Sequence, residues 1–224
     1  MNGAVPIWDL ALRKHWPHAQ HTFTLNVAVQ SHAPRLILLG VSGSGKTQTM
    51  KMVAGVLRPD DGHIRLQGDT LFDHAARIHT PAHQRRLGWV AQDYALFPHL
   101  SVAQNIGFAL SSGWRNPSTR HTPEAVQHML ARMGLNAVAQ HLPHQISGGQ
   151  KQRTALARAL MSQPSALLLD EPFAALDPAL RQRLRDDLAA LLAELALPVL
   201  LITHDEHDVA ALGGEVLRLP SPRP

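Results

Sequence analysis

A phosphate-binding loop is the clearest chemical pattern in this sequence of 224 residues. Residues 40–47 read GVSGSGKT, which fits the pattern G-x-x-x-x-G-K-[ST]. In such a loop, glycines let backbone N–H groups close around phosphate oxygens at a helix N-terminus, where the helix dipole also favours anions. Lys46 would reach the β and γ phosphates, and Thr47 would hold a Mg²⁺ ion. The residues expected to contact the nucleotide here are Gly40, Ser42, Gly43, Ser44, Gly45, Lys46, Thr47 and Gln48.

Two adjacent acids could complete this chemistry. The apolar run 167–169 ends in Asp170, and Glu171 follows at once. A phosphate-loop enzyme needs a second carboxylate at a strand end to hold Mg²⁺ through its waters, and Asp170 supplies it. Glu171 could orient or activate a water for attack on the γ-phosphate. An acid that merely caps the next turn is the alternative, and the phosphate-binding loop weighs against it.

The elements around the loop are those that the motif requires. Residues 36–39 form an apolar run typical of a buried strand, and Met50, Val53 and Leu57 then recur at helical spacing. Kinases, GTPases, motors and transport ATPases all share this unit, so the loop does not decide the class of enzyme. None of the lysines lies in an Asn-Lys-x-Asp segment, which argues against guanine selectivity.

The remaining chain alternates apolar strands with helices. This pattern predicts an α/β fold with a largely parallel sheet and helices on both faces. The helical stretch 101–161 interrupts the alternation and is expected to form a separate lobe. We expect paired strands within 5–30, a strand that runs into a tight turn at 63–69, and further strands at 87–90, 166–170, 199–203 and 216–219. We expect helices at 101–110, 123–133, 147–161 and 178–195, with Ser101 and Thr122 as N-caps.

Composition excludes several classes of protein. A hydrophobic content of 45% with 17% charged residues is typical of a globular chain, and the absence of cysteine excludes disulfides and thiolate metal sites. The N-terminus lacks the apolar core of a signal peptide. Glu194 and Pro198 interrupt the most apolar window, 188–202, so no membrane span is expected. The pI near 10.1 could indicate nucleic-acid binding, but the basic residues are scattered.

Residues 146–150 decide the class. Ile146-Ser147-Gly148-Gly149-Gln150, followed by Lys-Gln-Arg, resembles the LSGGQ signature of ABC-transporter ATPases, with Ile for Leu at the first position. The other motifs of that family occur in the same order. Gln92 resembles its Q-loop, residues 167–171 its Walker B strand with the catalytic Glu, 175–177 its D-loop, and 202–205 its switch-histidine loop.

The resemblance implies a fold and a domain organisation. It implies the ABC form of the P-loop NTPase fold, in which a RecA-like, mostly parallel core sheet carries an N-terminal antiparallel β-subdomain and an inserted α-helical signature subdomain. One domain would span 1–224, with about 1–92 and 163–224 as the core and about 93–162 as the helical part. The sequence stops at Pro224, so the C-terminal regulatory domain that many importer ATPases carry is expected to be absent.

The resemblance also implies ATP hydrolysis with Mg²⁺. Thr47, Gln92 and Asp170 would hold the metal, and Glu171, His204, Gln92 and Lys46 would carry the catalysis. Trp16 lies at a suitable distance before the loop to stack on adenine, with Trp8 and Phe23 as alternatives and a core role for any of them equally open. Gln48 replaces the hydroxyl residue common at its position, which removes one possible α-phosphate contact.

A second copy of the chain would complete each site. By resemblance, Ser147, Gly148, Gly149 and Gln150 bind the γ-phosphate of an ATP molecule held on the partner copy, so that two chains stack head to tail. Asp177 would report across that interface. The serine and glycines at a helix N-terminus suit contact with an anion.

Residues 93–102 resemble the segment after the Q-loop in importer ATPases for oxyanions, metals, polyamines and sugars, and docking is expected near Tyr94 to Leu100. An exposed aromatic and apolar cluster there would receive a helix of a membrane permease, with a solute-binding protein acting outside the membrane. A core role for Phe97 and Leu100 is the alternative. The chain would then lie at the cytoplasmic face of the membrane. Residues 40–43 and 85–88 most resemble molybdate-type ATPases.

A soluble ABC ATPase acting on nucleic acid or ribosomes is the competing interpretation. Such proteins usually carry tandem ATPase domains, a coiled-coil insertion or a metal cluster. The sequence shows none of these, so the importer is favoured and no nucleic-acid partner is expected.

Overall fold

A computed structural model describes residues 4–17, 23–111, 116–118, 121–174 and 178–220. An antiparallel sheet contains β1 (Trp8–Trp16), β2 (Phe23–Ser31), β4 (Asp61–Leu66), β5 (Asp69–Asp73) and β6 (Ile78–His79), in the spatial order β2-β1-β4-β5-β6. A parallel sheet contains β3 (Arg35–Leu39), β7 (Leu87–Val90), β8 (Ala166–Asp170), β9 (Val199–Thr203) and β10 (Glu215–Arg218), in the order β10-β3-β9-β8-β7. The helices are α1 (Lys46–Ala54), α2 (Val102–Gly107), α3 (Glu124–Arg132), α4 (Gly148–Met161), α5 (Pro178–Leu195) and α6 (Glu206–Leu212).

The antiparallel sheet buries one face. Trp8, Leu10 and Leu12 alternate with less buried residues along β1, and Leu25 and Val27 do so along β2. This period of two places the apolar side chains on one side of the sheet. The strands pair over their whole length, from Trp8 opposite Ser31 to Trp16 opposite Phe23. The expected paired strands within 5–30 are therefore present.

The parallel sheet is buried on both faces, which explains why its strands are continuous apolar runs. Leu36 and Leu38 of β3 pack into a core shared with the antiparallel sheet and with Met50 of α1. Ile37, between them, packs into a second core. Leu188 of α5 belongs to that second core. The predicted parallel sheet with helices on both faces is confirmed.

The helical lobe is inserted between β7 and β8. It contains α2, α3 and α4, whose buried side chains continue the second core. Ser101 caps α2 as expected, because its hydroxyl accepts from the N–H of Gln104 and the Gln104 side chain accepts from the N–H of Ser101. The predicted Thr122 cap on α3 is wrong, since Pro123 occupies the N-cap position there and makes no side-chain cap bond. Within the described residues, no helix combines the length and apolar character needed to cross a membrane.

Residues 63–69 contain a strand that runs into a tight turn, as expected. The chain reverses at Gln67 and Gly68, both at positive φ (51 and 89), and continues as β5, which was not predicted. Helix α6 was not predicted, because its seven residues are too few to show a helical period. Its start is marked by Asp205, whose carboxylate accepts from the N–H of His207.

The parallel sheet sets the position of the chemistry. Strands β3, β9, β8 and β7 are neighbours, so their carboxyl ends meet at one edge. The phosphate-binding loop follows β3, Glu171 follows β8, His204 follows β9 and Gln92 lies just beyond β7. Ligands of open α/β sheets bind at this edge. The fold therefore brings together residues that lie far apart in the sequence.

Candidate functional site

The phosphate-binding loop leaves the N-terminus of α1 open. Gly45 occupies the N-cap position at φ 94 and offers no side chain to cap the helix. The first N–H groups of a helix have no intrahelical partner, so those of α1 can accept an anion. Gly40 packs closely, since an added Cβ would lie 2.7 Å from the hydroxyl oxygen of Ser44. That hydroxyl is buried and has no hydrogen-bond partner, as expected for a group that meets a phosphate oxygen.

Lys46 is poised over the same loop. Its side chain is buried, and its ammonium donates to the backbone oxygens of Gly40 at 2.7 Å and Val41 at 3.0 Å. The nearest carboxylate oxygen of Glu171 lies 3.8 Å away. A buried ammonium that is held by carbonyl oxygens has lost most of its hydration, so an anionic ligand would restore favourable charge interactions. The loop therefore fits a phosphate group.

A cleft of about 530 Å³ opens above the loop, within the size range of small-molecule sites. It brings together Trp16 and most of the residues of the phosphate-binding loop that were predicted to contact the nucleotide, whereas Asp170 and His204 do not line it. Its lining comprises Trp16, Phe23, Ser42, Gly43, Gly45, Lys46, Thr47, Gln48, Gln92 and Glu171.

Two aromatic rings form one wall of this cleft. Trp16 and Phe23 are opposite each other in the pairing of β1 with β2, and their ring centroids are 5.5 Å apart. Trp8, the other alternative for adenine stacking, is buried in the core between the sheets and cannot reach a ligand. Trp16 and Phe23 thus remain as the candidates.

Asp170 ends β8 as a buried carboxylate. Burial and then the neighbouring charge of Glu171 raise the pKa of Asp170 to about 6, while Lys51 and Lys46 act in the opposite direction. A carboxylate whose charge is disfavoured in this way gains from a bound cation. Thr47, Gln92 and Asp170 offer hydroxyl, amide and carboxylate oxygens, the donors that Mg²⁺ prefers. The donor set fits this metal.

Glu171 lies between a cation and an imidazole. One carboxylate oxygen is 3.8 Å from the Lys46 ammonium and the other is 3.1 Å from Nδ1 of His204. The backbone of Glu171 has φ 43, an uncommon conformation for a residue with a side chain, and its N–H donates to the carbonyl of Ile202 at 3.0 Å. Such backbone strain clusters at functional sites. The ends of β8 and β9 and the start of α1 thus bring a carboxylate, an imidazole and an ammonium group together.

The signature segment, Ser147–Gln150, lies elsewhere. Ser147 caps α4, because its hydroxyl accepts from the N–H of Gln150 and the Gln150 side chain accepts from the N–H of Ser147. Gly149 is required by packing, since an added Cβ would lie 2.9 Å from Leu184 of α5. No residue of the signature segment lines the cleft above the loop. One chain therefore does not bring the two predicted halves of the site together. Asp177, predicted to report across a dimer interface, lies outside the described residues.

The prediction of an exposed cluster from Tyr94 to Leu100 is wrong for its first and last residues. Tyr94 and Leu100 are buried in the helical lobe, and burial raises the pKa of Tyr94 to about 12. The backbone of Tyr94 has φ 64, an unusual turn that the sequence pattern did not reveal. Phe97 is half-buried, with its ring 4.3 Å from that of Phe108 and the guanidinium of Arg158 at 5.4 Å. The exposed apolar groups beside it are Phe108 and Leu110.

Sequence reasoning missed a buried charge cluster behind His204. Arg185 of α5 contacts Asp205 and Asp208, and Asp208 accepts from the hydroxyl of Thr203. One signal was available. Arg185 follows Leu184 and precedes Leu188, so an arginine lies at the edge of the apolar face of the helix, where a charge needs a partner.

Comparisons with known proteins agree with this architecture. A family model described as "ABC transporter" matches residues 25–174. The Fe(3+) ions import ATP-binding protein FbpC of Pseudomonas fluorescens is 45% identical over 183 residues, which are 81% of this chain and 50% of that protein. FbpC of Yersinia pestis is 42% identical over 192 residues, which are 84% of this chain and 53% of that protein. The chain thus spans about half the length of these relatives.

Solved structures show the same fold. The dimeric ATP-binding cassette MJ0796 bound to ADP and Pi has a TM-score of 0.71 and 25% identity, covering 95% of this chain and 93% of that one. A second dimeric structure of MJ0796, described as a bacterial ABC transporter cassette, has a TM-score of 0.73. The expected ABC ATPase fold is confirmed.

Proposed function

This chain belongs to the ABC transporter family, and from that premise we propose that it hydrolyses ATP to drive import through a partner permease. The observation that carries the proposal is the position of Glu171. Its carboxylate lies between the Lys46 ammonium and the His204 imidazole at the mouth of the phosphate-binding cleft. A carboxylate at this position can accept a proton from a water that attacks the γ-phosphate.

The surrounding residues have complementary roles. The N-terminus of α1 and Lys46 bind the phosphates, and His204 donates to the charge that develops on the transferred group. Bound Mg²⁺ would neutralise charge on the β and γ phosphates, held by Thr47, Gln92 and Asp170. Trp16 or Phe23 packs against the adenine. Thr47 and Gln92 are assigned because they line the cleft, whereas Asp170 and His204 are assigned from their positions at the ends of β8 and β9 and from their donor types.

We propose that a second copy supplies the signature segment. The two halves of the predicted site lie apart within one chain, and the α4 N-terminus with Ser147 is exposed. The solved structures that this fold matches are described as dimers. A head-to-tail pair would place the signature segment of each copy against the ATP molecule of the other.

The import role is proposed from the relatives, whose names describe them as import ATP-binding proteins for Fe(3+) ions. We propose ferric iron as the first solute to test. The comparisons give no support to the molybdate expectation. The structure also gives Arg85, one of the residues behind that expectation, a packing role, because its guanidinium donates to the carbonyl oxygens of Met52 and Val53 near the end of α1.

We propose that the permease docks beside the helical lobe. Phe97 and Phe108 pack together there, and Phe108 and Leu110 are exposed. This surface would hold the chain at the cytoplasmic face of the membrane, with a solute-binding protein on the other side. Recovery of the chain with a multi-span membrane partner would support this assembly, whereas salt-sensitive binding to RNA would favour the competing function.

Glu171→Gln tests the proposal most directly. We expect ATP hydrolysis to fall by about 10²- to 10⁴-fold, because the amide cannot accept the proton, while ATP binding persists. ATP should then accumulate a dimer, measured by light scattering during gel filtration. Glu194→Gln is the matched control, since Glu194 is exposed and lies away from the cleft. Unchanged hydrolysis by Glu171→Gln, or a monomer in saturating ATP, would contradict the assigned role.

A further inference from the structure

Arg185 is a buried cation that links α5 to the segment carrying His204. Its Nε donates to Asp208 at 2.7 Å, and one terminal nitrogen donates to Asp205 at 2.6 Å. Only 6% of the Arg185 surface is exposed. A guanidinium presents its donors in a rigid planar fork, so two carboxylates bound at once are fixed relative to each other.

The two carboxylates in turn hold the backbone on both sides of His204. Asp208 accepts a hydrogen bond from the hydroxyl of Thr203, and that hydroxyl accepts from the N–H of Asp205 at 3.1 Å. Asp205 also caps α6 by accepting from the N–H of His207 at 2.8 Å. The residues before and after His204 are therefore both fixed, although 56% of the His204 side chain is exposed.

Arg185 also contacts the segment that carries Glu171. Its guanidinium lies 5.8 Å from the ring centroid of Phe173, two residues beyond Glu171. Phe173 is buried against α5, and the N–H of Ala174 donates to the carbonyl of Glu171 at 3.1 Å. Arg185 therefore contacts both the segment that carries Glu171 and the segment that carries His204, and these two residues contact each other.

The charges of this cluster balance. Arg181, one helical turn before Arg185, lies 3.9 Å from Asp205, so two guanidinium groups face two carboxylates. Buried charges persist when each has a partner of opposite sign. Although burial opposes it, the hydrogen bond from His207 and the charge of Arg185 lower the pKa of Asp205. Asp205 therefore stays ionised at neutral pH.

We propose that Arg185 is a positioning residue for ATP hydrolysis, which sets the distance and orientation of His204 relative to Glu171. This inference rests on the proposed function. Arg185 is not among the residues that line the cleft. It acts through the histidine, because the Asp205 and Asp208 carboxylates transmit its position to the backbone on either side of His204.

The proposal can be tested with three variants of the full chain. Arg185→Lys keeps the charge but cannot bridge two carboxylates with a planar fork. Asp208→Asn keeps Arg185 and interrupts the link to Thr203. Arg183→Lys is the matched control, since Arg183 lies on the exposed side of the same helix. For Arg185→Lys we expect kcat to fall about 10- to 100-fold, because displacing a reactive group by about 1 Å can cost 10²-fold. KM for ATP should stay within about twofold of the parent value, since uniform binding is unaffected.

A double-mutant comparison separates positioning from simple destabilisation. If Arg185 acts through the histidine, Arg185→Lys should lower kcat in the parent chain and have almost no further effect in a His204→Ala background. Equal fold-losses in both backgrounds would overturn the proposal. So would a normal kcat for Arg185→Lys in a folded chain.

A second readout does not depend on hydrolysis. The His204 ring resonance, assigned by its loss in His204→Ala, should shift or broaden in Arg185→Lys and Asp208→Asn and stay unchanged in Arg183→Lys. An unmoved resonance would overturn the proposal even if hydrolysis fell. A parent chain that hydrolyses no ATP would instead refute the proposed function, while the resonance would still report whether Arg185 orders the histidine.

Discussion

The N-termini of α1 and α4 both contain glycine, and their caps differ. Helix α1 starts at Gly45, whose left-handed backbone places no side chain over the helix end. Helix α4 starts at Ser147, which forms a reciprocal cap with Gln150. The first helix leaves its N–H groups to a ligand, and the second satisfies some of its own.

This difference suits the two proposed roles, in which the α1 end binds the nucleotide and the α4 end contacts a partner copy. The α1 end is surrounded within one chain by Lys46, Thr47 and Glu171, which converge on the same cleft. The signature segment has its own cap and needs no ligand to be stable. It can therefore be presented at a surface and engage a partner's nucleotide. The following predictions test this comparison.

The largest effect on ATP hydrolysis is expected when the N-terminus of α1 is disabled in one copy of the chain and the N-terminus of α4 in another. Lys46→Ala removes the buried ammonium that we propose binds the phosphates, and Ser147→Arg blocks the signature segment. Each should lower ATP hydrolysis at least about 100-fold. Mixed together, half of the dimers would be hybrids with one intact site, so hydrolysis should return to about a quarter of the parent rate. A coupled ATPase assay measures this recovery.

Two controls define the outcome. Each of the two variants alone at the total protein concentration should remain inactive, whereas Lys51→Ala, on the same helix as Lys46, should hydrolyse ATP by itself because it keeps both ends. ATP affinity should fall in Lys46→Ala and persist in Ser147→Arg, as measured by equilibrium dialysis. Recovery absent at every mixing ratio would argue that the site is not shared between copies.

Features whose chemistry is local could be predicted from the sequence. The phosphate-binding loop could be located because its chemistry is local: strand, glycines, lysine and helix lie within about twenty residues, and each has one physical reason to be there. The parallel sheet was predictable for a similar reason, since strands buried on both faces are continuous apolar runs such as 167–169. These features need no knowledge of distant contacts.

Features that depend on distant contacts were missed. Tyr94 turns inward because its backbone adopts φ 64 and its hydroxyl reaches the carbonyl of Pro172, neither of which a sequence pattern records. The contact of Arg185 with Asp208 joins residues 23 positions apart. Glu171 and His204 were expected in one site, but the φ of 43 at Glu171, whose carboxylate contacts His204, is not recorded in a sequence pattern.

The next-largest effect concerns the free-energy cost of burying a carboxylate beside the N-terminus of α1. Asp170 is buried beside Glu171, and its pKa is raised from 3.8 to about 6. Asp170→Asn should therefore raise the free energy of unfolding of the ligand-free chain at neutral pH by about 1–3 kcal/mol, given about 1.4 kcal/mol for each pKa unit. Urea denaturation measures this gain. Added MgATP should stabilise the parent chain and have a much smaller effect on Asp170→Asn.

The pH dependence of that gain checks its cause. A raised pKa means that the folded chain binds more protons than the unfolded chain between pH 3.8 and about 6. The parent chain therefore loses stability as the pH rises through this window, and the cost is fully present above it. The advantage of Asp170→Asn should be complete near neutral pH and vanish toward pH 4. An advantage that does not change with pH would point to packing instead of charge.

Gly45→Ala should have a somewhat smaller effect on stability. An added Cβ would lie 2.5 Å from a methyl carbon of Leu25, at a backbone φ of +94. Gly134→Ala separates the two causes, because Gly134 has φ +63 and the atom nearest to the added Cβ is a terminal nitrogen of Arg153 at 3.6 Å, an ordinary contact. The positive φ alone should cost about 1 kcal/mol in Gly134→Ala, and the extra contact should bring Gly45→Ala to about 2 kcal/mol. Equal losses by thermal denaturation would show that the Leu25 contact relaxes freely.

The smallest effect separates the role of Ser147 as the cap of α4 from its proposed role in contacting a partner's ATP. Ser147→Ala removes the cap of α4 and should lower the free energy of unfolding by about 1 kcal/mol. Ser147→Asp keeps a capping oxygen, so its stability should match the parent chain, but its carboxylate would repel the phosphate of a partner's ATP. Hydrolysis should therefore fall more in Ser147→Asp than in Ser147→Ala, the reverse of their order in stability. If activity followed stability instead, the α4 end would serve the chain only as a helix cap, and the difference between the two ends would have no role in catalysis.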